Sequence, residues 1–140
     1  MVPVLELIRE LAVYEKEEAQ VKTTAADLER DGFCEHPLFY VVLAEKDGEL
    51  AGMVFYYYSY STWKGKMLYI EDIVVKERFR TMGVGQALFD HMRDEARRQR
   101  ARQIRFHVLD WNEPALKFYR KNGVAFDDEW IQCKLEKENI

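Results

Sequence analysis

Arg80, Gly83 and Gly85 form an R-x-x-G-x-G pattern in RTMGVGQALF, between a strand-like run, YIEDIVV, and a helix-like one. Glycines at a helix entrance let a bound group approach the backbone closely. The free N–H groups of the first turn and the helix dipole attract phosphate oxygens there. Arg80 adds a fixed positive charge to the cradle. The dinucleotide fingerprint G-x-G-x-x-G and the Lys-Ser/Thr of the Walker loop are both missing, which argues against those nucleotide folds.

One βα unit later stands Trp111-Asn112-Glu113-Pro114, with Tyr119 further along the helix that Pro114 opens. The two groups together are far more specific than either alone. A third feature is the run Tyr56-Tyr57-Tyr58. Consecutive strand residues point to opposite faces, so these rings appear on both. Either one of them meets a ligand or partner, or all pack in the core, and the sequence leaves both open.

The elements that position these residues follow from periodicity. Val4, Leu7, Ile8, Leu11 and Ala12 recur at helical spacing, which predicts an amphipathic helix over 3–16. A short helix runs from Thr24, where Asp27 completes a capping box, to Gly32. Strands are expected over 38–45 and 50–60 around an Asp47-Gly48 turn, and a third over 66–75. A polar loop, a helix over 83–99, a strand over 103–109, a helix over 113–122 and a closing strand over 130–135 complete the order α-α-β-β-β-α-β-α-β. This predicts a mixed, mostly antiparallel sheet with helices on both faces, in one domain over residues 1–140.

Hydrophobic residues make up 48% of the chain and charged ones 33%, which excludes a disordered chain. No apolar run is long enough for a transmembrane helix, and the N-terminus lacks the pattern of a signal peptide, so a cytoplasmic protein is expected. Cys34 and Cys133 read as ordinary thiols. With no CxxC spacing and only scattered histidines (His36, His91, His107), no metal site is expected. The net charge of −4 divides unevenly, −7 over residues 1–50 and +3 over the remainder. The arginine-rich stretch 93–105 carries interleaved acids and no aromatic platform, so nucleic acid is not an expected partner.

The combined pattern resembles the GNAT superfamily of acetyl-CoA-dependent acetyltransferases. It is most similar to the spermidine/spermine acetyltransferases and their thialysine-acetylating relatives. The shared text includes DGFCEHP (31–37), STWKGK (61–66), YIEDIVV (69–75), RTMGVG (80–85) and LDWNEPALKFYRKNG (109–123). The resemblance implies that pantetheine pairs with the backbone of Ile73, Val74 and Val75. One N–H of that stretch would polarise the thioester carbonyl. The pyrophosphate would sit on the amides of Arg80, Thr81, Met82, Gly83, Val84, Gly85 and Gln86, and Asn112 would help hold the pantetheine arm.

The resemblance also implies Tyr119 as the general acid that protonates the departing thiolate, and Glu71 as the base that frees the amine, through a water. Asp72 is expected on the opposite strand face, as a substrate or hydrogen-bonding group. Glu15, Glu17 and Glu18 would wall a slot for a cationic amine, with Trp63 and Tyr56 offering ring faces to its ammonium. A direct transfer from acetyl-CoA to a small primary amine follows: a thialysine- or lysine-like amino acid, a diamine or a polyamine. A homodimer is implied as well.

Two departures from the family qualify this. The chain begins at the first helix, where the family has a preceding edge strand, so an exposed sheet edge is expected. The loop before the third strand reads Ser61-Thr62-Trp63-Lys64 where the polyamine enzymes tend to carry Asp-Pro-Trp, which favours a short amino acid-like or diamine acceptor. The competing readings are a non-catalytic acyl-CoA-binding module, and an acetyltransferase acting on protein lysines or N-termini.

Overall fold

A computed structural model describes all residues, 1–140, and its contacts divide the chain into two compact units, Met1–His107 and Val108–Ile140. In the first unit α1 spans Val2–Tyr14 and α2 Ala25–Gly32. Thr24 and Asp27 close the expected capping box, with Asp27 N donating to Thr24 Oγ1 at 3.1 Å and Thr24 N to Asp27 Oδ2 at 3.0 Å. Strands β1 (Tyr40–Lys46), β2 (Glu49–Ser61) and β3 (Gly65–Val75) follow, then α3 (Val84–Arg98) and β4 (Ile104–Arg105). Asp47 and Gly48 both take positive φ, 53° and 78°, the geometry that lets a two-residue turn match the twist of β1 and β2.

The sheet order is β1-β2-β3-β4, antiparallel except for a short parallel pairing of β3 with β4. Helices cover both faces. α1 and α2 place Val4, Leu5, Leu7 and Leu28 against Phe39, Met53 and Val74. On the other face α3 packs Leu88, Met92 and Ala96 against Ala51, Val54, Tyr56, Leu68 and Ile70. Tyr58 fastens α3 by donating its hydroxyl to the buried Glu95 at 3.1 Å, and Glu95 pairs with Arg98. No helix is long and apolar enough to cross a membrane.

The second unit holds α4, Glu113–Lys121, and a short turn at Lys137–Asn139. The strand expected over 130–135 does not form. Ile131, Cys133 and Leu135 alternate as a strand requires, but these residues pair with no strand, and Trp130, Ile131 and Leu135 are exposed. The strand expected over 103–109 is cut to Ile104–Arg105 for a reason that also shapes the site.

Candidate active site

β3 carries a bulge. Tyr56 of β2 pairs with Ile70 and Phe55 with Asp72, so Glu71 has no cross-strand partner. One extra residue reverses the alternation of side chains along the strand. Before it, Leu68 and Ile70 face α3, and beyond it Val74 faces α1. Glu71 and Asp72 consequently line one and the same cavity. The expectation that Asp72 points away from Glu71 is thereby corrected: simple alternation fails at a bulge.

The edges reverse too. Leu68 N donates to Gln103 O at 3.0 Å, towards β4, whereas Lys76 N donates to Ala51 O at 2.8 Å, towards β2. These positions are an even number apart, so the bulge has exchanged the edges between them. β4 pairs only with Leu68 and Tyr69 and stops where the exchange begins. Past it, Ile73 and Val75 direct their N–H and C=O groups to an edge that β4 does not cover, while Val74 turns its own towards β2. Such an edge can take an extended ligand arm as an additional strand.

The cavity beside this edge, on the α1 side, has a volume of about 520 Å³. Ile8, Leu11, Ala12 and Leu28 form apolar wall, and Phe39, Phe55 and Tyr57 supply rings, with Phe39 stacked on Phe55 at 4.3 Å. Four carboxyl groups line it: Glu15, Glu17, Glu71 and Asp72. Burial pushes the half-buried Asp72 up from 3.8 to about 7, and the charges of Glu71 and then Glu15 add to the rise. Glu15 is raised in turn, by burial and by Glu17. Burial, followed by the neighbouring Glu71 charge, raises the Tyr57 phenol, and its ring stacks on Tyr69 at 5.1 Å. Tyr69 is held by a hydrogen bond with His107 Nδ1, and burial, followed by the Glu71 charge, lifts its phenol to about 12. A cation entering this slot finds negative charge and ring faces, and at neutral pH Asp72 stands ready to exchange a proton.

Three residues expected in the acceptor slot lie outside this cavity. Glu18 sits in the 3-10 turn after α1. Tyr56, only 6% exposed, faces α3 and packs beside Tyr40 and Tyr58, because strand alternation gives the cavity face to Phe55 and Tyr57. Trp63 stands in the β2–β3 loop at 84% exposure.

At the end of β3 the chain turns through Glu77–Phe79 into the cradle. Arg80 donates from Nε to Val75 O at 3.2 Å, and its guanidinium lies 5.2 Å from the Tyr14 ring centre at the end of α1. Gly83 takes φ 82° as the N-cap of α3 and offers no side chain, so the first intrahelical bond is Ala87 N to Gly83 O at 3.0 Å. A Cβ built on Gly83 would meet nothing within 4 Å, so the space in front of this helix end is open. An anionic, phosphate-bearing group fits such an end.

The second unit carries the other two expected residues. Asn112 caps α4, its Oδ1 accepting from Ala115 N at 3.4 Å. Tyr119 is buried in α4 with its ring 5.4 Å from that of Phe118.

A model of the acetyltransferase (GNAT) family matches residues 4–124. The chain belongs to that family. It is 41% identical over 128 residues to a thialysine N-epsilon-acetyltransferase of Bos taurus, covering 86% of this chain and 75% of that one. It is 32% identical to the human spermidine/spermine N(1)-acetyltransferase-like protein 1, over 98% of this chain and 21% of that one. Among solved structures, an aminoglycoside acetyltransferase from an uncultured soil metagenomic sample superposes with a TM-score of 0.77 at 16% identity, over 96% of this chain and 88% of that one, which shows the shared fold.

In this acetyltransferase the sequence reading missed the cavity's walls. Ile8 and Leu11 lie on the recognised helical stripe and look like core, and Phe39 lies just before β1. Lys22 also lines the cavity, and nothing in its local pattern marks it.

Proposed function

We propose that this acetyltransferase moves the acetyl group of acetyl-CoA directly to the primary amine of a small acceptor, within a ternary complex. The acceptor class is a thialysine- or lysine-like amino acid, a diamine or a polyamine. The observation that carries the reading is the cavity in which Glu15, Glu17, Glu71 and Asp72 share one aromatic-walled slot beside the open edge of β3. The uncapped start of α3, the left-handed Gly83 and Arg80 support seating of the pyrophosphate on residues 80–86, with pantetheine along Ile73–Val75. When bound, acetyl-CoA supplies an activated acyl group with a thiolate leaving group.

The chain's own residues then have distinct tasks. An ammonium has no lone pair, so the acceptor must lose a proton before it attacks. In place of Glu71, the base that the resemblance implies, Asp72, raised to about 7, takes that proton, and Glu71 beside it orients the amine and any bridging water. An N–H of the Ile73–Val75 stretch polarises the acyl carbonyl. Tyr119 gives its phenolic proton to the departing thiolate, and Asn112 helps hold the pantetheine arm. The family match over residues 4–124 supports these roles, and the reading takes residues 1–140 as one acetyltransferase domain. The reading extends to a cytoplasmic location and to a homodimer, the latter supported by the exposed Trp130, Ile131 and Leu135.

The test is CoA thiol release from acetyl-CoA against thialysine, lysine, ornithine, putrescine, spermidine and a lysine peptide, with Tyr119→Phe beside the wild type. Turnover of a small amine, strongly reduced by the substitution, is the expected result. No turnover of any amine, with acetyl-CoA still raising Tm, would replace the enzyme by a CoA-binding module.

A further inference from the structure

The acceptor cavity contains one cation. Among its sixteen lining residues Lys22 stands with four carboxylates, Glu15, Glu17, Glu71 and Asp72. Its backbone is fixed on both sides. Val21, which ends the 3-10 turn, packs into the core beneath α1, and two residues further on the Thr24–Asp27 box locks the start of α2. Lys22 itself is exposed at the cavity lip and makes no ion pair with any of the four acids. A lysine present only to neutralise those acids would be paired with one of them. This one lines the slot with no acid paired to it.

We infer that Lys22 is a specificity-determining residue that reads the α-carboxylate of an amino acid acceptor whose side chain ends in the reacting amine. This rests on the acyl-transfer reading of the same cavity. An acceptor carrying only ammonium groups satisfies the carboxylates but brings a positive end towards Lys22. An ω-amino acid presents one ammonium to Glu71 and Asp72, an apolar stem to Phe55 and Tyr57, and a carboxylate with its α-ammonium at the other end. Lys22 and Glu17 match that pair of charges, and Gln20 and Thr23, which line the cavity beside them, add donors for the carboxylate. Lys22 takes no part in the chemical step, so its effect falls on KM and on the choice between acceptors.

The experiment compares lysine with cadaverine, which differ only in the α-carboxylate, on full-length wild type, Lys22→Met and Lys22→Arg. The wild type is expected to prefer lysine. In Lys22→Met the lysine-to-cadaverine ratio of kcat/KM should fall by about tenfold, chiefly through the KM of lysine, the size expected for one charge-assisted hydrogen bond. Lys22→Arg should restore most of it. A wild-type preference for cadaverine, or a ratio that Lys22→Met leaves unchanged, would overturn the assignment. Titration calorimetry with CoA present separates this from failure of the enzyme reading. Lysine affinity lost in Lys22→Met, with no turnover by any protein, would uphold the carboxylate contact and overturn acetyl transfer. Equal lysine affinity in both proteins would overturn the contact.

Discussion

Glu71 and Asp72 are neighbours in one strand and face the same cavity, because the bulge in β3 inserts Glu71 without a cross-strand partner. A half-buried carboxyl group beside a second carboxylate is hard to ionise at its ordinary value. The cost falls on Asp72, the less exposed of the two, which burial and the Glu71 and Glu15 charges lift to about 7. The bulge thus sets the backbone edge that can pair with a ligand arm and, on its other face, a proton acceptor tuned to neutral pH.

The first prediction concerns activity. As a base, Asp72 must be ionised, so kcat/KM falls about tenfold per pH unit below about 7. Asp72→Asn removes that limb and lowers the plateau by roughly a hundredfold. Glu71→Gln, which removes the neighbouring charge, moves the limb to lower pH. A pH–rate profile of the three proteins decides it, and an unchanged limb in Asp72→Asn would place the proton acceptor elsewhere.

The same group makes stability depend on pH in a known direction. Asp72 titrates near 3.8 when unfolded and near 7 when folded. Between those values the native chain holds a proton that the unfolded chain has released, so stability declines as pH rises from about 4 to 7. Asp72→Asn escapes this decline. It should exceed the wild type by roughly 4 kcal/mol at pH 8 and show almost no advantage at pH 4. Urea unfolding at the two pH values measures the difference, and a constant offset between the proteins would contradict the assignment.

Much of this arrangement is legible in the sequence, and the remainder is hidden for definable reasons. The helical stripe of α1, the Thr24–Asp27 box, the Asp47-Gly48 turn and the glycines before α3 are local signals, and each forms as its residues dictate. The bulge is not local. EDIVV is compatible with regular alternation, and only the pairing of Phe55 and Tyr56 with β3 shows where the extra residue goes. Tyr56 and Tyr57 illustrate the consequence. Both are strand tyrosines, and which of them reaches the cavity is settled by which face α1 covers. Trp130–Leu135 fails in the opposite sense, since its alternation is correct and a ladder partner is what it lacks.

Gly52 tests the seating of β3. A Cβ at this position would lie 2.3 Å from Val74 O and 3.2 Å from Val75 Cα, both backbone atoms that cannot rotate aside. Gly52→Ala should therefore push β2 and β3 apart at the end where the open edge lies. A cost of about 1–3 kcal/mol is expected, with Tm down by roughly 5–10 °C. Because the distortion falls on Val74 and Val75, the KM for acetyl-CoA should rise as well. Thermal melts and cosubstrate titration test both parts, and a variant that melts with the wild type would show that the strands have room to give.

Tyr57 separates the ring from the hydroxyl. Its ring stacks on Tyr69, while its hydroxyl feels the neighbouring Glu71 charge and can donate to it. Tyr57→Phe keeps the first and removes the second, so Tm should scarcely move. Glu71 then loses a neighbouring donor able to orient it, and the KM for the amine should rise by about tenfold, the worth of a hydrogen bond to a charged group. If the hydroxyl acts through Glu71, the loss disappears when Glu71 is already Gln, so the double variant Tyr57→Phe with Glu71→Gln behaves like Glu71→Gln alone. Additive losses would mean that the hydroxyl meets the acceptor directly, and that Tyr57, with its ring already in the cavity wall, contributes a polar contact of its own to amine recognition.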